Sequence, residues 1–175
     1  SLQKTNSKDF QFCTNIVNKC EGMREEEKED YASSIFAMYE SIKSKTCVCP
    51  DTLIVDDNDF NIYALKLSLK KYNLKIEKAI NGLEALNLVK ELSLNSCCSV
   101  YKIIFMDFDM PVMNGYESAR NIKNYLNSID KDAKIIGCSA FSSEKDILKC
   151  FESGMDDYET KPLNNEKVER ILAKN

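Results

Sequence analysis

From residue 52 onward, short apolar runs alternate with stretches in which apolar residues recur every three or four positions. That alternation predicts strands interleaved with amphipathic helices, and hence an α/β domain on a parallel sheet. Five runs predict strands, over 52–55, 75–80, 102–106, 134–138 and 155–159, the third being the most apolar. Between them, Ile62, Leu65, Leu69 and Tyr72 mark one helical face, Leu83, Leu86 and Val89 a second, and Tyr116, Ala119, Ile122 and Leu126 a third. Each face is expected to cover the sheet. Crossovers between parallel strands are nearly always right-handed, so the domain should be a doubly wound, three-layer sandwich. Asn114, with Glu117 three residues on, resembles a capping box, and Ser142 or Ser143 is placed to cap the fourth helix. Gly154 comes just after that helix, where a left-handed residue is wanted.

The first fifty residues read differently. They are polar and irregular to about Gly22 and then carry a charge run over 24–30. Tyr31, Ile35, Met38, Tyr39 and Ile42 recur at helical spacing, which predicts a helix over about 24–44 with one apolar stripe. That stripe needs a partner: the adjoining α/β domain, a second copy, or a neighbouring domain of a parent chain. Pro50 and Asp51 divide an N-terminal extension or linker, 1–50, from the α/β domain, 51–175. The chain opens on Ser1-Leu2, which suggests a piece of a longer protein.

Composition narrows the chemistry. Lys plus Arg is 24 and Asp plus Glu is 28, a net charge of −4, so no nucleic-acid partner is expected. There is no histidine among the 175 residues, which excludes a His general base, a His metal ligand and a phosphodonor histidine within this chain. The eight cysteines match no disulfide framework and no secretory signal precedes them, so reduced thiols and a cytoplasmic location are expected. Cys47-Val48-Cys49 is too tight for a zinc knuckle and reads as a pair of linker thiols. No apolar run approaches the roughly 18 residues of a membrane span, so any membrane attachment of a parent protein would lie outside this piece.

In open α/β sheets, ligands bind beyond the carboxyl ends of the strands, where the strand order reverses. The residues at those ends are therefore informative: Asp56-Asp57 after the first predicted strand, Asp107 after the third, Ser139 after the fourth and Lys161 after the fifth. Singly, each has an ordinary reading as a cap, a turn residue or a surface charge. Together they bring three carboxylates, a hydroxyl and an ammonium to one edge. Three ionised carboxylates repel unless a strong cation joins them, and Mg²⁺ suits such a set because it accepts a few carboxylates and keeps waters for an incoming phosphate. With no histidine and no activated Ser or Cys, a carboxylate is the remaining nucleophile, and its attack on phosphorus gives an aspartyl phosphate.

These residues strongly resemble the receiver domain of two-component response regulators, most of all those of hybrid histidine kinases. The matching segments are Leu53-Ile54-Val55-Asp56-Asp57-Asn58, Asn81-Gly82-Leu83-Glu84-Ala85-Leu86, Ile103-Ile104-Phe105-Met106-Asp107-Phe108-Asp109-Met110-Pro111-Val112-Met113-Asn114-Gly115, Ile135-Ile136-Gly137-Cys138-Ser139-Ala140, and Gly154-Met155-Asp156-Asp157-Tyr158-Glu159-Thr160-Lys161-Pro162. The resemblance covers about 51–175 and implies a flavodoxin-like, five-stranded parallel sheet of order 2-1-3-4-5 with helices on both faces. It implies Asp107 as phosphoacceptor and Mg²⁺ held by Asp56, Asp57, Asp107 and the main-chain carbonyl of Asp109. Ser139 and Lys161 would contact the phosphoryl group, Ser139 and Tyr158 would switch, and Asp109 and Phe141 would tune dephosphorylation, bulky Phe141 slowing it. The donor would be a histidine kinase or histidine phosphotransfer protein. A downstream protein would read the face of the fourth helix, fifth strand and fifth helix. Glu159 departs from the family's apolar preference, which suggests an altered exposed edge on the fifth strand.

The chain carries no kinase catalytic domain and would catalyse only its own phosphorylation and dephosphorylation. With 13 residues after Pro162, no output domain is expected in this piece. Two alternatives remain. Asp107-Phe108-Asp109 with a later Ser and Lys also suits a haloacid dehalogenase-type phosphatase, although the acidic pair of that family comes after its lysine. The other is a receiver-fold binding module that is not phosphorylated.

Overall fold

The two most apolar stretches of the domain, Thr52–Val55 (β1) and Ile103–Asp107 (β3), pair in parallel at the centre of a five-stranded sheet in the computed structural model. Ile76–Ala79 (β2) flanks β1, and Lys134–Ser139 (β4) and Asp157–Thr160 (β5) continue beyond β3, so the order is β2-β1-β3-β4-β5 with every pair parallel. The structure describes residues 49–94, 100–140 and 143–174, together with Tyr31, Ser34 and Ile35. The chain divides into two compact units, Ser1–Cys47 and Val48–Asn175. In the first, Tyr31, Ser34 and Ile35 are helical, and the rest of the helix predicted over 24–44 lies outside the described residues.

Side chains alternate across a strand, so one sheet feeds two cores. Leu53, Val55, Ile104, Met106 and Ile135 pack with Gly82–Ser93 (α2), Gly115–Ser128 (α3) and Cys150 of Glu144–Glu152 (α4). Ile54, Ile103, Phe105, Ile136 and Cys138 point the other way, into Asp59–Leu69 (α1) and Asn165–Ala173 (α5). Strands buried on both faces explain why β1 and β3 read as continuous apolar runs rather than as alternations.

Each of α1 to α5 begins at a short polar residue whose side-chain oxygen accepts from a backbone N–H of the first turn. Asn58 accepts from Phe60, Asn81 from Glu84, Asn114 from Glu117, Ser143 from Asp146 and Asn164 from Lys167. Such caps are each worth about 1 kcal/mol. Ser143, rather than Ser142, supplies the fourth, with a complete capping box. Gly154 closes α4 at φ +88°, the left-handed conformation that its position predicts.

Two expectations need correction. Leu83 is exposed, and the inner face of α2 is built from Ala85, Leu86, Val89 and Leu92. At the first turn of α2, Leu83 lies outside the arc that meets the sheet. Glu159 does not alter an exposed edge: it is 8 % exposed and meets Arg170 and Lys167 of α5. Its register with Cys138 puts its side chain on the α1/α5 face. There two cations take the role that an apolar contact would otherwise have.

Candidate functional site

The parallel register aligns the carboxyl ends of the strands. Val55 stands opposite Met106, Asp107 opposite Cys138 and Ser139 opposite Thr160. The residues just past β1, at the end of β3 and just past β5 therefore share one edge, and the β1/β3 pair is where the strand order reverses. Carboxylate oxygens of Asp56, Asp57 and Asp107 lie within 4.8 Å of one another. Asp56 and Asp107 are buried and Asp57 is exposed.

Each buried carboxylate is fixed by its own neighbourhood. Asp56 Oδ1 accepts from the Asn58 amide at 2.9 Å and from Asn61 Nδ2 at 3.0 Å. Asp107 Oδ1 accepts from the Phe108 amide at 2.9 Å. Lys161 Nζ bridges the two, 2.6 Å from Asp56 Oδ2 and 2.8 Å from Asp107 Oδ1. A cavity of about 80 Å³ lies beside this ion pair, walled by Ala64, Leu65, Phe105, Cys138 and Pro162. Apolar walls screen charge poorly, so the attraction between Lys161 and its partners is not diluted as it would be in water.

Like charges weigh on the other side. Two carboxylates within 4.8 Å of one another repel by at least roughly 3 kcal/mol at an effective dielectric of about 20. Burial pushes the Asp107 carboxyl above its usual range, Lys161 opposes that shift and the charge of Asp56 adds to it. Burial by itself would lower the Lys161 ammonium, but hydrogen bonds and charge from Asp107 and Asp56 outweigh it and raise the group. Lys161 is thus held firmly cationic over an acidic pocket that one cation only partly neutralises. A three-carboxylate oxygen set of this kind fits a hard divalent ion.

The loop after Asp107 is tied back under the site. The Gly115 amide donates to the Phe108 carbonyl at 2.9 Å, and the Met113 carbonyl accepts from the Gly82 amide at 3.0 Å. A Cβ on Gly115 would stand 2.0 Å from the Asp107 carbonyl oxygen, so glycine here allows α3 to start directly beneath the acidic residue.

The structure brings Asp56, Asp57, Asp107 and Lys161 together. Ser139 is buried at the end of β4, and its carbonyl accepts from the Lys161 amide at 2.8 Å. Asp109 is exposed in the loop after β3. Tyr158 is half-buried on β5, with its ring 6.2 Å from that of Phe151 of α4 in an edge-on contact. Phe141 lies outside the described residues. Sequence reasoning missed Asn61, which orients Asp56. Its signal was an amide set between Phe60 and Ile62 in the first turn of α1.

The family's model for the response regulator receiver domain matches residues 52–173, and the chain belongs to that family. Two curated relatives show the setting. The chain is 32 % identical over 123 residues to hybrid signal transduction histidine kinase L of Dictyostelium discoideum, covering 70 % of this chain and 7 % of that protein. It is 35 % identical over 122 residues to the osmosensing histidine protein kinase SLN1 of Saccharomyces cerevisiae, covering 69 % of this chain and 10 % of that protein. The match therefore spans about a tenth or less of the length of these relatives. Two solved structures share the fold. One contains the S. cerevisiae histidine phosphotransfer protein Ypd1 with the receiver domain of Ssk1 (TM-score 0.62, 30 % identity, 71 % of this chain and 88 % of that one). The other is the receiver domain of the sensor histidine kinase PA1611 of Pseudomonas aeruginosa, with a magnesium ion in its active-site cleft (TM-score 0.61, 26 % identity, 71 % and 95 %). Membership in the receiver family places the domain among those of two-component response regulators and sets the phosphatase reading aside. No helix among the described residues is long and apolar enough to cross a membrane.

Proposed function

We propose that this domain takes a phosphoryl group from a phosphohistidine on a partner onto a carboxylate oxygen of Asp107. The observation that carries the reading is the cluster of Asp56, Asp57 and Asp107 with Lys161 bridging two of its members. The Oδ–P bond forms as the N–P bond of the donor breaks, and the electron pair leaves with the imidazole. Because the chain has no histidine, the donor is a histidine kinase or a histidine phosphotransfer protein. Asp56, Asp57 and Asp107, with the main-chain carbonyl of Asp109, would hold Mg²⁺. That ion, when bound, supplies charge neutralisation at the phosphoryl oxygens. Lys161 exchanges a carboxylate partner for a phosphoryl oxygen, and the Ser139 hydroxyl donates to another.

Phosphorylation then biases a two-state element built on Ser139 and Tyr158. A downstream protein would read α4, β5 and α5, where Leu148 and Phe151 are exposed and Phe151 meets Tyr158. Asp109 and Phe141 would tune the dephosphorylation of the acidic site. We assign this activity to residues 51–175, with 1–50 as an extension or linker, and a cytoplasmic setting accords with the reduced thiols of Cys138 and Cys150. The test is intact mass after incubation with acetyl phosphate and Mg²⁺. One added phosphoryl group is expected in the wild type and none in Asp107→Asn. Equal labelling of both proteins would overturn the assignment of Asp107.

A further inference from the structure

The peptide group that joins Thr160 to Lys161 is held at both of its polar ends. Its N–H donates to the Ser139 carbonyl at 2.8 Å. Its C=O accepts from the ammonium of Lys167, in the first turn of α5, which also donates to Thr160 Oγ1 at 2.8 Å. Lys167 is in turn held by Glu159, whose carboxylate lies 3.4 Å from Nζ, is 8 % exposed and takes Arg170 on its other oxygen. A buried carboxylate in a strand is costly unless cations accompany it, so Glu159 and Lys167 stay together. Immediately after the clamped peptide comes Lys161, which spans Asp56 and Asp107.

We propose that Lys167, kept in place by Glu159, is a positioning residue for Lys161: it fixes the Thr160–Lys161 peptide from the α5 side while Ser139 fixes it from β4. Lys167 touches neither the acidic cluster nor a phosphoryl group and acts only through the placement of the Lys161 ammonium. The inference rests on the phosphoacceptor reading for its consequence in catalysis, but the clamp itself is a property of the resting domain. Its physical content is that the reach of a flexible lysine side chain is set by its backbone. Small misplacements of a charge meant for a transferring group lower the rate steeply. The clamp also links the Ser139 backbone to α5 through a single peptide unit.

Two measurements on the whole chain test this. The first is native-state exchange of the Lys161 amide proton. Lys167→Met is expected to speed it about tenfold, with Ile136 in the core unchanged and Lys167→Arg close to wild type. The second is a cycle on the rate of phosphorylation by acetyl phosphate. Lys167→Met should slow the wild type about tenfold but add nothing to Lys161→Ala, because the two act as one unit. Additive slowing in the cycle, or an unchanged Lys161 amide, would overturn the proposal, since a general loss of stability acts equally in both backgrounds. Should Lys167→Met fail to fold, Glu159→Gln is measured in its place, with the same pattern expected. A wild type that accepts no phosphoryl group would sink the phosphoacceptor reading, and amide exchange alone would then decide the clamp.

Discussion

Gly115→Ala is a sharp test of how the site is built, because two physical effects there have opposite signs. Gly115 is the first residue of α3, where alanine would ordinarily stabilise the helix by about 0.5–1 kcal/mol. Against this, the new Cβ would stand 2.0 Å from the Asp107 carbonyl oxygen, 2.9 Å from the Asp107 carbonyl carbon and 3.1 Å from Met106 Cγ. Two of these three atoms are backbone of a central strand, so relief requires the start of α3 or the end of β3 to move by about 1 Å. Overpacking into a rigid neighbour costs about 3 kcal/mol at the upper end of its usual range. The net expectation is a loss of about 2 kcal/mol. In urea, with a slope of about 2 kcal/mol per molar, the midpoint should fall by about 1 M with the slope unchanged. The clash falls on the backbone of Asp107 itself, so phosphorylation by acetyl phosphate should slow in the same variant where the end of β3 gives way. An unchanged or raised midpoint would refute the reasoning, for it would mean that the loop yields and that helix propensity alone decides.

Further expectations concern charge, metal and the switch. Asp156 accepts from the Ile135 amide at 2.9 Å and pairs with Lys123 at 2.9 Å and Lys134 at 3.4 Å; burial opposes ionisation, but these partners prevail and hold its carboxyl below the usual range. A depressed carboxyl contributes above its unfolded value and ceases to contribute as pH falls through the native one. Asp156→Asn should therefore cost about 1 kcal/mol at neutral pH, after allowance for its partial exposure, and the gap from wild type should close in urea titrations below about pH 4. Adding Mg²⁺ should raise the melting temperature by ligand linkage and EDTA should reverse it, with the effect lost in Asp57→Ala; an undiminished shift in that variant would remove Asp57 from the metal set. Phe141→Glu should shorten the lifetime of the phosphorylated form, tracked by intact mass over time, and an unchanged lifetime would show that Phe141 does not limit water.

Features that depend on neighbours along the chain were legible from the order of residues. Short apolar runs set between stretches of period 3.6 located the five strands to within a residue or two, because burial of a strand's faces or of one helix stripe is a local demand. Asn114, Gly154 and a cap at Ser142 or Ser143 were legible for the same reason, since caps act within a turn. Asp56, Asp57, Asp107, Ser139 and Lys161 could be named because a parallel sheet puts all its carboxyl ends on one edge. The partners of those groups, by contrast, come from the packing of distant segments. Lys161 spans Asp56 and Asp107 because β5, two strands from β3, reaches back across the edge, and no local spacing encodes that reach. Glu159 looked anomalous because its burial depends on the register with Cys138, and its compensation depends on Lys167 and Arg170 of another element. Leu83 and Leu86 are equally apolar in sequence, yet only the angle at which α2 meets the sheet puts one in water and the other in the core. Propensity and pattern are properties of a segment, whereas the pairing of charges is settled by the assembly of segments, and the chemistry of this site lies in that pairing.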